Sequence, residues 1–227
     1  MIDFRLGRQG LGICAAAAIL ASCTASQSGS EAIPQTIAAS HARPASGSAD
    51  CPPYSGGSGV LPDGDFSQAV QPGPSQNGDA VFFKGQIFAP SWVVRADSID
   101  FVSSTYWNVG GVCSVDLDGQ QDPNPVGGIR SSGFTTRRGK PYIVTFTLSG
   151  NGYCPPTVKT MKIEAAGQFM EYTWNISSGN DAQDGHYTQE TWQFTATHPV
   201  TRLAFVSLDP TGSGCGAVVA AISVTKK

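Results

Sequence analysis

The sequence predicts an all-β protein, an antiparallel β-sandwich or jelly roll, and three observations carry that prediction. From about Leu61 onward, short runs of β-branched and aromatic residues are separated by turns bearing glycine and proline. No stretch sustains a 3.6-residue apolar period over three turns. One run alternates cleanly, with Tyr142, Val144, Phe146 and Leu148 on one side and Ile143, Thr145 and Thr147 on the other, as a strand with one buried face requires. Many short strands at fairly even spacing are the pattern of a two-sheet sandwich.

Residues 1–22 precede that domain and read differently. Arg5 and Arg8 give a positive start, and Leu11 to Ala21 form an apolar run rich in alanine. Such a run is shorter than the roughly 20 residues that cross a bilayer. It has the form of a secretory signal peptide. Leu20-Ala21-Ser22-Cys23 resembles the bacterial lipobox, which implies cleavage before Cys23 and a thioether-linked lipid on its sulfur. Thr24 follows, where an aspartate would signal inner-membrane retention in some bacteria. The expected location is therefore the cell envelope, at the outer membrane or cell surface, with the membrane reached through the lipid anchor.

Residues 23–58 are expected to form the lipidated cysteine and a disordered tether. They are dominated by Ser, Ala, Gly, Gln and Pro and show no apolar period. A flexible chain of about 30 residues reaches on the order of 30 Å. Residues 59–227 are expected to form the sandwich. Removing the signal peptide takes two arginines and one aspartate from a chain of formal charge −3, so the remainder is mildly acidic and nucleic acid is not an expected partner.

Along the domain, Trp92 to Arg95 and Ile99 to Val102 read as strands around a turn at Asp97-Ser98. Cys113 to Leu117, Gly128 to Thr136 and Tyr142 to Leu148 follow. The last runs are Val158 to Ala165, Phe169 to Ile176, Tyr187 to Ala196, Leu203 to Leu208 and Ala217 to Val224. Four cysteines remain beyond the anchor: Cys51, Cys113, Cys154 and Cys215. In an oxidising compartment an even number suggests two disulfides, with three pairings open.

The ordered segments "SWVVRADSIDFVSSTYWNV", "SVDLDG", "GGIRSSGFTTRRGKPYIVTFTLSGN", "VKTMKIEAAG", "TWQFTAT" and "LAFVSLDPTGSGCGAVVAAISV" resemble the choice-of-anchor C family. That family is related to the plant cell-wall family called domain of unknown function 642. The resemblance covers about Leu61 to Val224. It implies a galactose-binding-like sandwich, an extracellular or envelope location and an association with polysaccharide, and it implies no catalytic reaction. It also implies a Cys154–Cys215 disulfide, which leaves Cys51 with Cys113. Where family members commonly carry Leu-Asp-Asn before the last strand ends, this chain has Val219, Ala220 and Ala221. The missing carboxylate is a potential calcium ligand, leaving Asp63 and Asp65 as candidate oxygen donors for an ion that needs six to eight.

Residues that could carry chemistry are few. The three histidines have no metal-ligand spacing, and no nucleophile elbow or phosphate-cradling loop is present. Asp116 and Asp118 are candidate paired acids for glycoside hydrolysis, and on a strand they are expected to face solvent opposite Val115 and Leu117. The stronger expectation is a carbohydrate platform. Sugar C–H faces lie flat on aromatic rings, and Tyr106 and Trp107 sit in a loop between strands. Asp116 and Arg130 would supply hydrogen bonds nearby, and Trp92, Trp174 and Trp192 are expected in the core. The sequence thus points to a noncatalytic carbohydrate-binding module with no required cofactor. A structural lipoprotein that docks another envelope protein is the alternative, and a glycosidase the weakest reading.

Overall fold

The computed structural model describes residues 51–69, 78–119, 126–176, 181–210 and 214–227. The expected signal peptide, Cys23 and residues 24–50 of the expected tether lie outside the described residues. The described residues form fourteen strands. They are β1 (Asp79–Phe83), β2 (Ile87–Ala89), β3 (Trp92–Ala96), β4 (Ser98–Val102), β5 (Ser114–Asp116), β6 (Gly128–Ser131) and β7 (Phe134–Thr135). They continue with β8 (Pro141–Gly150), β9 (Val158–Ala165), β10 (Gln168–Asn175), β11 (Thr188–Thr195), β12 (Val200–Thr201), β13 (Leu203–Ser207) and β14 (Ala217–Lys226). The first sheet runs β1-β4-β5-β14-β8-β11, the second β10-β9-β13-β6-β3-β2, and β12 with β7 make a small ribbon. Every strand pair is antiparallel, so the fold is an antiparallel β-sandwich of the jelly-roll kind.

The main core lies between the sheets. On β8 the residues Tyr142, Val144, Phe146 and Leu148 enter it, as their alternation requires. Phe146 meets Phe205 of the opposite sheet edge to face at 5.3 Å, and Trp92 meets Phe66 similarly at 5.4 Å. Fully burying side chains of this size stabilises the fold by about 1.5–3 kcal/mol each. Trp92 and Trp192 are buried as expected, whereas Trp174 is only partly covered and donates its indole N–H to Asp181 at 2.9 Å.

Strand β14 is apolar at both parities, and both of its faces are covered. Ala217, Val219, Ile222 and Val224 belong to the main core. Val218, Ala220 and Ala221 belong to a second cluster with Trp107, Val109, Val112 and Ala182. The change of parity occurs at a register irregularity between Ala220 and Ser223, where Ala221 has a φ of 48°. A bulge of this kind re-aims the strand. The loops that supply Trp107, Val109, Val112 and Ala182 therefore roof the outer face of the first sheet.

One expectation needs correction. Residues 51–58, expected in the tether, are part of the domain. Cys51 is buried and disulfide-bonded to Cys113, Tyr54 packs on the second cluster, and the Tyr54 N–H donates to Asp65 at 2.8 Å. The disulfide and the ring fix a segment whose composition alone suggests no order. Strands β3 and β4, separated by the Asp97 turn, do not pair: β3 lies in the second sheet and β4 in the first. The turn therefore carries the chain from one layer to the other. A second disulfide joins Cys154 to Cys215.

Candidate functional site

With the first sheet roofed, the outer face of the second sheet is the open one, and its registers place one residue from each strand in a row. Ile87 pairs with Val93, Val93 with Arg130, Arg130 with Ala204, Ala204 with Glu164, and Glu164 with Phe169. Residues paired in register share a face of the sheet. Ala204, with a single methyl, sits between two long side chains, and a shallow groove of about 370 Å³ opens there. Its rim includes Arg95, Arg130, Arg202, Glu164, Gln168 and Phe169. Phe169 is 62% exposed, and the Lys162 ammonium lies 5.8 Å from its ring centroid. Arg95 forms an ion pair with Glu164, to which Lys162 also binds at 3.1 Å, and these two cations hold the Glu164 carboxyl below its ordinary pKa against the effect of burial.

The four residues expected to build a carbohydrate platform are not brought together. Trp107 is 3% exposed and stacks on the half-buried Tyr106 at 6.2 Å, so it is part of the roof over β14 and offers no flat face to a ligand. Its indole N–H has no hydrogen-bond partner. Asp116 is fully buried in the first sheet. Arg130 alone stands in the open groove. Arg95, Arg202, Gln168 and Phe169 were not singled out by the sequence. Arg95, Arg202 and Phe169 face outward, Gln168 at the end of β10 bonds the Thr195 backbone, and only the strand order brings the four side by side.

Asp116 and Asp118 do not face solvent. Asp116 is 0% and Asp118 2% exposed, so no glycosidic bond can reach either carboxyl. Asp116 accepts hydrogen bonds from the Asn151 amide at 2.8 Å and from the Gly216 and Asp118 backbone N–H groups at 2.9 and 3.0 Å. Burial, with Asp100 opposite on β4, nevertheless pushes the Asp116 pKa up to about 8. Burial and the neighbouring Asp116 push Asp118 up to about 8 as well, and burial raises Asp209 to about 6. Gly216 is required between them: a Cβ there would lie 2.8 Å from both an Asp116 oxygen and the Asp118 carboxyl carbon. Lys159, itself fully buried, donates its ammonium to the carbonyls of Cys154 at 2.8 Å and Cys215 at 2.5 Å. This set is structural, and it ties both disulfide cysteines to the sandwich.

Asp63 and Asp65 lie in a loop docked on β14. A Cβ on Gly64 would meet the Ile222 carbonyl at 2.0 Å, and the Ile222 N–H donates to Gly64 at 2.8 Å. Both carboxyls turn inward. Asp65 accepts from the Tyr54 and Ser67 N–H groups and Asp63 from Gln68, leaving one Asp63 oxygen without a partner. Burial raises the Asp63 pKa to about 6. Ala221 supplies no side-chain oxygen at the bulge, and among the described residues no three acidic, histidine or cysteine side chains assemble around a metal position. A calcium ion needs six to eight oxygens, and the side-chain carboxylates of this loop are those of Asp63 and Asp65.

No curated protein matches the sequence. Solved structures with a related course of chain include the CBM22-1 xylan-binding domain from Paenibacillus barcinonensis Xyn10C, at 9% identity and a TM-score of 0.42, covering 65% of this chain and 92% of that one. Another is a structure described as CBM4, at 12% identity and a TM-score of 0.40, covering 74% and 99%. These likenesses are distant, and the fold and groove stand on this chain's own residues. The family model described as "Protein of unknown function (DUF642)" matches residues 59–225, and the chain belongs to that family.

Proposed function

We propose that this protein is an exported, lipid-anchored envelope protein whose sandwich binds carbohydrate without catalysis. The groove on the second sheet carries the reading. It combines an exposed aromatic ring, Phe169, with charged side chains around a floor made shallow by Ala204. A sugar presents apolar C–H faces and a rim of hydroxyls, and that combination matches both. The two disulfides suit an oxidising compartment.

Binding is tested by electrophoresis of the folded protein through gels containing soluble polysaccharides. Retardation by at least one polysaccharide is expected, and Ala204→Trp, which fills the floor from the outer face, should abolish it with the melting temperature nearly unchanged. A folded parent that is retarded by no polysaccharide sinks the reading. The anchor is tested separately: metabolic labelling with palmitate should mark the protein, and Cys23→Ala should remove the label. An unlabelled parent overturns the lipid attachment and leaves the groove untouched.

A further inference from the structure

We infer that the groove takes an anionic polysaccharide and that Arg130 and Arg202 read its charge. This deepens the carbohydrate reading and rests on it. The observation is a local excess of positive charge on a chain whose formal charge is −3. Three arginines and one glutamate line the groove. Arg95 is paired with that glutamate, and Lys162 shares it.

Arginine on a sheet surface ordinarily finds an acid across the strand. Arg130 cannot, because its cross-strand neighbours are Val93 and Ala204. Among the described residues no ion pair involves Arg130 or Arg202. Neither guanidinium is spent on the fold. Each presents a planar fork of donors suited to two oxygens of one carboxylate or sulfate.

The site also has length. A second hollow of about 200 Å³ lies beside the first, lined by Ile87, Pro90, Ser132 and, again, Arg130 and Arg202. The two hollows thus share the same pair of cations at their junction. Ile87, 65% exposed, stands at one end of the row and Phe169 at the other. Six strands spaced by about 4.8 Å give a track on the order of 24 Å. Apolar ends with a cationic centre suit a chain of several sugar rings bearing charge at intervals, rather than one free sugar.

The test measures binding of the full chain, in its disulfide-bonded form, to alginate, polygalacturonate and hyaluronan, each beside its carboxyl-reduced counterpart, and to dextran sulfate beside dextran. The expected result is preference for at least one charged member over its neutral partner, weakening as salt is raised. Arg130→Ala with Arg202→Ala should lower that affinity about ten-fold or more, while Arg130→Lys with Arg202→Lys retains part of it. Both side chains are exposed, so the melting temperature should hold; the salt dependence of the unmodified protein is the independent readout. Preference for a uronate or for dextran sulfate distinguishes carboxylate from sulfate as the charge recognised, and either supports the inference. Equal binding to charged and neutral partners, unaffected by salt, overturns the role of charge and leaves carbohydrate binding standing. No binding to any of the eight overturns both.

Discussion

Between pH 4 and pH 8 the unfolding free energy of the sandwich is expected to fall as pH rises, by about 1.4 kcal/mol per pH unit for each proton the folded state holds in excess. Asp116 and Asp118 supply the excess. Their pKa values are raised to about 8 from an ordinary 3.8, chiefly by burial. Below about pH 4 both folded and unfolded chains carry these protons, and the stability is fully present. As pH rises the unfolded chain releases them first, and the folded state must then either keep a proton or bury a charge. The stability is lost progressively until the folded carboxyls ionise near pH 8. Asp209 and Asp63, raised to about 6, add to the slope in its acidic half. Lys159, lowered chiefly by burial, acts in the opposite sense between its own value and the ordinary 10.5. Because Asp100, Asp116, Asp118 and Asp209 influence one another, the slope counts protons held by the set. Urea unfolding at pH 5, 6, 7 and 8 measures it. Asp116→Asn keeps an oxygen for the Gly216 and Asp118 N–H groups and removes the charge, so it should flatten the slope by about one proton, at the loss of the acceptor for the Asn151 amide. A parent whose stability is flat over this range would show these carboxylates to be ionised throughout.

The strands were legible where one face is buried and the other is not. Tyr142 to Leu148 alternates because the main core lies on one side of β8, and burial follows the alternation from Tyr142 to Phe146, whereas Thr147, at 3% exposed, is covered as well. The short strands β1 and β2 lie at sheet edges, where pairing on one side leaves a weak pattern, and neither was read from the sequence. Sheet membership was not legible at all. Trp92–Ala96 and Ser98–Val102 are separated by one residue yet belong to different layers. The site suffered from the same gap. Trp107 reads as a loop platform until it is noticed that Val218, Ala220 and Ala221 make the other side of β14 apolar too, and an apolar outer face must be roofed by something. Asp116 and Asp118 do alternate with Val115 and Leu117, as expected, but the side they take is closed rather than solvated. Arg130 was picked out as a hydrogen-bond donor beside Tyr106 and Trp107. Its role depends on Val93 and Ala204 lying beside it, and register is a property of the pairing, which a single strand's sequence does not contain.

Removing the Cys154–Cys215 disulfide, as Cys154→Ala with Cys215→Ala, is expected to cost more than removing Cys51–Cys113, although the chain-entropy model makes them equal. The sequence separations are 61 and 62 residues, so loss of either cross-link should cost about 4 kcal/mol through the unfolded state. The folded states differ. Cys51–Cys113 ties the first described segment to the loop beside β5. Cys154–Cys215 holds in place the two carbonyls that accept the Lys159 ammonium, and Lys159 is the buried cation that offsets Asp209. If those carbonyls relax, the ammonium loses its acceptors while remaining in a closed environment, where an unpaired polar group costs about 1–3 kcal/mol and more when charged. The excess should therefore vanish once the ammonium is gone. In a double-mutant cycle, Lys159→Met and loss of Cys154–Cys215 should be non-additive by about 1 kcal/mol or more, whereas Lys159→Met and loss of Cys51–Cys113 should add. Chemical denaturation of the five variants and the parent at one pH supplies every value. Equal costs for the two disulfides, with additivity in both cycles, would mean that the Lys159 contacts contribute nothing beyond what the cross-link's entropy explains.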